Sequence, residues 1–198
     1  MYPMKTMDKV AEFHGHVCPG LALGYRVAVA ALASLGQRAV DEEIIAIVEN
    51  DSCAVDAVQL MTGCTFGKGN LYFRDYGKQA YTFIRRPSGE AVRIAVIWEP
   101  PAETSGETAA WKLYSAGDRS EGVLRVVHER KSRKIASILD APEEEVISLR
   151  RLTVEPPPTA RIYPSVRCGR CGEKTMESRA RLSGGEIVCI PCFEEAGR

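Results

Sequence analysis

The 198-residue chain balances 26 basic against 26 acidic side chains and is 45% apolar and 26% charged. That is globular composition; it excludes wholesale disorder, and the even charge argues against a protein whose main task is gripping nucleic acid. No apolar run approaches the ~20 residues that cross a bilayer and Met1–Lys5 lacks a secretory pattern, so the expected location is cytoplasmic, with no membrane partner.

From Pro19 to Leu35 the chain is apolar almost all round, which predicts a largely buried helix. Pro19 suits its first position, leaving Cys18 near the N-cap, and Gly36 is a sensible stop. Ile44–Glu49 is a β-branched run and reads as a buried strand. Asn50-Asp51-Ser52 makes a turn, with Asp51 favoured as a cap, and a helix follows from Cys53 to Met61. A glycine-bearing loop covers residues 62–70. Ala80–Arg85 and Ala91–Trp98 read as strands joined by a hairpin at Pro87-Ser88-Gly89-Glu90. Helices over Glu107–Ser115 and Glu121–Leu139 follow, then a short helix or turn from Asp140, then a strand over Ile147–Val154. Pro156-Pro157-Pro158 can continue neither helix nor central strand. The division is therefore an α+β core over residues 1–154, a linker over 155–165, and a separate tail over 166–198.

Seven cysteines are many for a reducing compartment, where thiols serve as metal ligands or reactive groups more often than as disulfides. They fall into two sets, with Cys18, Cys53 and Cys64 early and the other four at the end. In the tail, Cys168 and Cys171 form one Cys-x2-Cys pair, and Cys189 and Cys192 form a second after 17 residues. Two such turns complete the tetrahedral shell that zinc prefers, and four sulfurs leave no open position, so the expected metal is structural. A redox pair and a rubredoxin-like iron site are the alternatives. About thirty residues bury too little surface to fold alone, so the metal supplies folding energy in a small zinc ribbon or treble-clef-like finger. Basic groups only slightly outnumber acidic ones here, leaving nucleic-acid binding possible but unsupported.

His14-Gly15-His16-Val17-Cys18 packs two of the chain's three histidines and a thiol directly before a helix. In extended backbone, alternate side chains share a side, which would let His14, His16 and Cys18 converge. A thiol at a helix N-terminus should ionise more readily, and Cys53 occupies the same electrostatic position. Thiolate plus imidazole suits a divalent transition metal or a nucleophile–base pair; a buried cysteine with two capping histidines is the bland alternative. Asp56 faces either the site or solvent, and Cys64 is either a ligand or an inert thiol. Gly63-x3-Gly67-Lys68-Gly69 is too short for a phosphate loop and lacks its Ser or Thr, though Lys68 could meet an anion. His128, Tyr76, Lys78 and Tyr81 read as surface, packing or interface residues.

Three ordered motifs carry a family resemblance: Phe13–Arg26, then Asp51–Gln59 with Thr62–Leu71, then Asp75–Ala80. Together they resemble the FmdE family, named for a component of molybdenum formylmethanofuran dehydrogenase. The resemblance implies an α+β core, an intertwined homodimer and a cavity of His and Cys able to hold a metal. It further implies an association with the one-carbon carrier formylmethanofuran, hence with methanogenesis-related metabolism and with dehydrogenase subunits as partners. A zinc-binding tail is an optional addition in that family. No molybdopterin or iron–sulfur motif is visible, so this is not the catalytic dehydrogenase subunit.

The leading expectation is a dimeric metal-binding protein whose core site uses His16, Cys18 and Cys53, with His14 and Cys64 in reserve. If it is an enzyme, Cys18 and His16 are the candidate catalytic groups, and Lys68 positions an acidic substrate. The competing expectations are a non-catalytic adaptor or regulator, whose zinc finger recognises protein or nucleic acid, and a purely structural subunit.

Overall fold

The computed structural model describes residues 6–196. The chain divides into two compact units, residues 1–159 and 160–198, so the break falls within the proline-rich segment.

The first unit begins with α1 (Met7–His14), a helix absent from the expected elements. It turns Met7, Val10 and Ala11 to one side, but at eight residues it is too short for that period to repeat, and only Val10 is buried. α2 (Pro19–Leu35) has Pro19 in its first turn and buries Leu21, Ala22, Val27 and Ala28 completely. Each large aliphatic side chain buried in this way contributes about 1.5–3 kcal/mol. Next come β1 (Ile44–Val48), α3 (Ala54–Thr62) and β2 (Leu71–Phe73), a three-residue strand too short to show alternation in sequence. β3 (Ala80–Arg85) and β4 (Glu90–Val96) form the expected hairpin. α4 (Ser105–Ser115) opens on a capping box between Thr104 and Glu107. α5 (Glu121–Asp140), the short α6 (Glu143–Val146) and β5 (Ile147–Thr153) complete the unit.

The sheet has five strands in the order β2-β1-β3-β4-β5, antiparallel except for the β1–β2 pair. Alternation along β1 sorts its residues between two faces. Ile44, Ala46 and Val48 join Phe83, Val92 and Ile94 in the main core with α2, while Ile45 joins Ile84 and Ala91 in a smaller cluster. α5 is tied to α2 by Arg26, whose guanidinium donates to the carbonyls of Ile138, Leu139 and Ala141 at 2.6, 3.0 and 2.8 Å. These are carbonyls that the end of a helix leaves without partners. No helix of the described residues is long and apolar enough to cross a membrane.

The second unit contains two hairpins, β6 (Ser165–Arg167) with β7 (Lys174–Met176) and β8 (Arg181–Ser183) with β9 (Glu186–Val188), followed by α7 (Ile190–Ala196). Its buried cluster is Cys168, Val188 and Cys189, so an apolar core is nearly lacking.

Candidate metal centres and the family of the chain

One imidazole nitrogen of His14 and the sulfurs of Cys18 and Cys53 lie within 4.8 Å of one another. Three chain segments bring them there. His14 is the last residue of α1, and Gly15 follows at φ 91°, a left-handed conformation that ends the helix at little cost to glycine. Cys18 caps α2, its sulfur accepting from the Leu21 amide at 3.4 Å. Cys53 caps α3 and is delivered by the turn after β1. In that turn Asn50 Oδ1 accepts from the Ser52 amide at 3.1 Å and its hydroxyl at 2.7 Å, while Asn50 Nδ2 donates to the Lys78 carbonyl at 2.8 Å. The nearly buried Asn50 thus fixes the approach to Cys53, and Asp51 does not act as the cap.

The two thiols meet because α2 and α3 touch backbone to backbone. A Cβ on Gly24 would stand 2.3 Å from the Ala54 carbonyl oxygen, and one on Gly20 would stand 3.4 Å from Cys53 Cβ. Only the missing side chain at Gly24 permits this approach. Gly20 and Gly24 stand about one turn apart on one face of α2, a spacing by which such a crossing could be recognised in a sequence.

His14 has the environment of a held ligand. Its Nδ1 is 2.6 Å from Asp56 Oδ2, and its buried Nε2 has no hydrogen-bond partner. Metal-bound imidazoles characteristically use the second nitrogen in this way, with a carboxylate fixing ring orientation and basicity. Asp56 therefore faces the site. The donor set of one imidazole and two thiols fits a divalent transition ion, with room for a further ligand.

The structure rearranges the expected set. His16 is exposed and lies outside the converging group, its ring centroid 4.6 Å from that of His14. Alternation failed because the segment is a helix end and a glycine turn, not a strand. Cys64 is fully buried elsewhere, its thiol donating to the Ile44 carbonyl at 3.3 Å, and burial pushes it up to about 11. Lys68 Nζ donates to the carbonyls of Val40 and Asp41 at 3.3 and 2.9 Å, so it ties down a loop and does not face the cysteines. Burial and the neighbouring Cys18 raise the Cys53 thiol, opposite to the fall expected from its helix N-terminus. Tyr81 is a core residue, Tyr76 and Lys78 are exposed, and His128 is exposed on α5.

The group is approached from two sides. His14, Cys53 and Asp56 line a cavity of about 350 Å³ with Asn50, Phe66 and Phe73. Cys18 lines a different cleft, of about 510 Å³, with residues of α4 and α5.

In the tail, ligand atoms of Cys168, Cys171, Cys189 and Cys192 also lie within 4.8 Å of one another. The Cys168 sulfur accepts from the Cys189 amide at 3.3 Å, and Cys171 Sγ lies 3.8 Å from Cys189 Sγ. Backbone amides of Cys171 and Cys189 lower the Cys168 thiol to about 6. Four sulfurs around one point fit zinc and fill its shell.

Comparison with known proteins identifies the family of the first unit and the zinc finger of the second. Residues 13–148 match the family described as FmdE, molybdenum formylmethanofuran dehydrogenase operon. The chain belongs to the FmdE family. Residues 161–196 match the prokaryotic dksA/traR C4-type zinc finger, so this FmdE protein carries a four-cysteine zinc finger behind its family domain. A solved protein from Syntrophus aciditrophicus, described as a tungsten formylmethanofuran dehydrogenase FmdE-like protein, shares the fold. It is 22% identical, with a TM-score of 0.60 and full coverage of both chains. A relative from Archaeoglobus fulgidus, named "Probable S-adenosyl-L-methionine-binding protein", is 34% identical over 201 residues. That alignment takes in 95% of this chain and 52% of the relative, so the chain spans about half the length of the curated protein it matches.

Proposed function

We propose that this FmdE-family protein binds a divalent transition metal in its core through His14, Cys18 and Cys53, and serves one-carbon metabolism of the methanogenic kind. The observation that carries the metal site is the buried His14 Nε2, which lacks a partner while Asp56 holds Nδ1. An ion held there supplies Lewis acidity toward a carbonyl or a water. The chain's own residues do the rest. Asp56 orients His14, the Gly24 crossing sets the distance between the thiols, and the adjacent 350 Å³ cavity admits a small reactant. Catalysis at such a centre rests with Cys18 and with His14 in place of the exposed His16.

Metal analysis of the full chain tests this reading. Two ions per chain are expected, falling to one in Cys18→Ser with the tail ion retained; unchanged occupancy in that variant refutes the core site. The partners that follow are a second copy of the chain and dehydrogenase subunits. Phe66, Phe73 and Tyr76, 62%, 40% and 63% exposed, offer apolar surface for a homodimer, which sedimentation measures directly.

A second reading takes its support from the Archaeoglobus relative's name. The chain would then bind S-adenosylmethionine, and its aromatic cleft beside Cys18 is where an adenine ring would lie. A third assigns the zinc finger to partner recognition, making the protein an adaptor. Loss of a partner on deleting the residues after Pro158, with the core ion retained, favours that reading.

A further inference from the structure

The 510 Å³ cleft reached by Cys18 has a composition that the metal site does not explain. Trp98 follows β4, Trp111 and Tyr114 stand on α4, and Arg130, Lys131 and Lys134 stand on α5. These are the only two tryptophans of the chain, and both line this one cleft. Trp111 stacks on Tyr114 with ring centroids 5.6 Å apart and carries Arg130 over its ring at 4.6 Å, yet remains 41% exposed. A large ring already held by a stacked tyrosine and by a guanidinium over its ring presents a rigid apolar edge at small entropic cost.

The charge is equally specific. Arg130 and Lys134 both bond to Glu103, whose carboxyl they hold down to about 2. Lys131 has no carboxylate partner among the described residues. Three cations against one carboxylate leave a local surplus of two positive charges in a chain that is neutral as a whole. The volume is that of a small-molecule site, not of a macromolecular groove.

We infer that this cleft binds a small ligand made of a flat aromatic or heteroaromatic ring joined to a phosphate or carboxylate. The ring lies against Trp98 and the open edge of Trp111, and the anion lies at Lys131, with Lys134 and Arg130 beside it. Cys18 at the cleft wall gives such a ligand a path to the core donor group. Binding stands on the cleft alone; only that path rests on the metal reading proposed above.

Adenosine 5′-monophosphate is the probe, because it combines a heteroaromatic ring with a doubly charged group. Titration of the full-length protein, read by tryptophan fluorescence, reports this cleft and no other place. Saturable quenching is expected, weakened by salt. Adenosine and inorganic phosphate should each bind about tenfold or more weakly, since each keeps half of the recognition. Lys131→Glu should weaken the nucleotide by at least about tenfold, Lys131→Gln by less, and Lys112→Ala, outside the cleft, not at all. Circular dichroism confirms that each variant is folded. Absence of saturable quenching at millimolar nucleotide overturns the proposal, as does unchanged affinity in folded Lys131→Glu. Binding of uncharged adenosine as tight as that of the nucleotide overturns the anionic assignment. Metal analysis fails or succeeds separately from this titration, so the two readings are told apart.

Discussion

The core and the tail each gather metal-ligating side chains around one point, but they do so in opposite order. In the core, a five-stranded sheet and a buried helix exist first, and His14, Cys18 and Cys53 are carried together by three helix ends. In the tail the buried cluster is two ligand cysteines and Val188, so without a metal little holds the two hairpins in place. The core's fold makes its site, whereas the tail's site makes its fold. A metal bound in the core as proposed could therefore leave a coordination position open, whereas an incomplete shell in the tail would surrender the energy that orders it.

The largest test of this contrast is metal removal. Structural zinc contributes on the order of 10 kcal/mol or more to units of this kind. Chelation should abolish amide-exchange protection across residues 165–196 while the sheet of the first unit keeps its protection. A tail that stays protected without metal would undo the contrast.

A smaller but still large effect is expected at Gly24. Alanine there must push α3 from α2, because its Cβ would stand 2.3 Å from the Ala54 oxygen. The cost should be about 3 kcal/mol in a urea denaturation of the core. The core ion should be lost with it while the tail ion remains.

Asp56→Asn separates the two sites without disturbing packing. It removes the carboxylate that orients His14, and core metal affinity should fall about tenfold to a hundredfold, with the tail unaffected. Competition with a chromogenic chelator measures both sites at once. Equal affinity in the variant would show that the 2.6 Å contact is only structural.

The smallest effect concerns acid. Arg130 and Lys134 depress Glu103 from the ordinary 4.5 to about 2, so its contribution is complete above the ordinary value and is lost as pH falls between the two. Exposure and solvent screening keep it modest. The α4–α5 hairpin should loosen over that window, read as a change in tryptophan emission as Arg130 leaves the Trp111 ring. Glu103→Gln should remove the transition.

Much of this molecule is legible in the order of its residues. The apolar run from Pro19 declares α2 to the residue, the β-branched run declares β1, and two Cys-x2-Cys pairs declare the tail ligands, because each signal is local and periodic. The strand Leu71–Phe73 and the helix α1 escape notice because three and eight residues are too few for a period to repeat. The hidden α1 matters for the site: residues 14–18 taken as extended bring both His14 and His16 beside Cys18, whereas the helix end and glycine turn leave only His14 with the thiols.

Residue type and spacing along one stretch were enough to establish the family motifs and the four-cysteine zinc finger of the tail. Tertiary packing settled the rest: which imidazole joins the thiols, that Asp56 stands behind it, and that Cys64 and Lys68 are spent elsewhere. Those outcomes depend on the backbone approach at Gly24 and on where helix ends point, which are relations between segments distant in sequence. Both tryptophans and a surplus of cations meet in one cleft for the same reason: three elements must first pack before their side chains become neighbours.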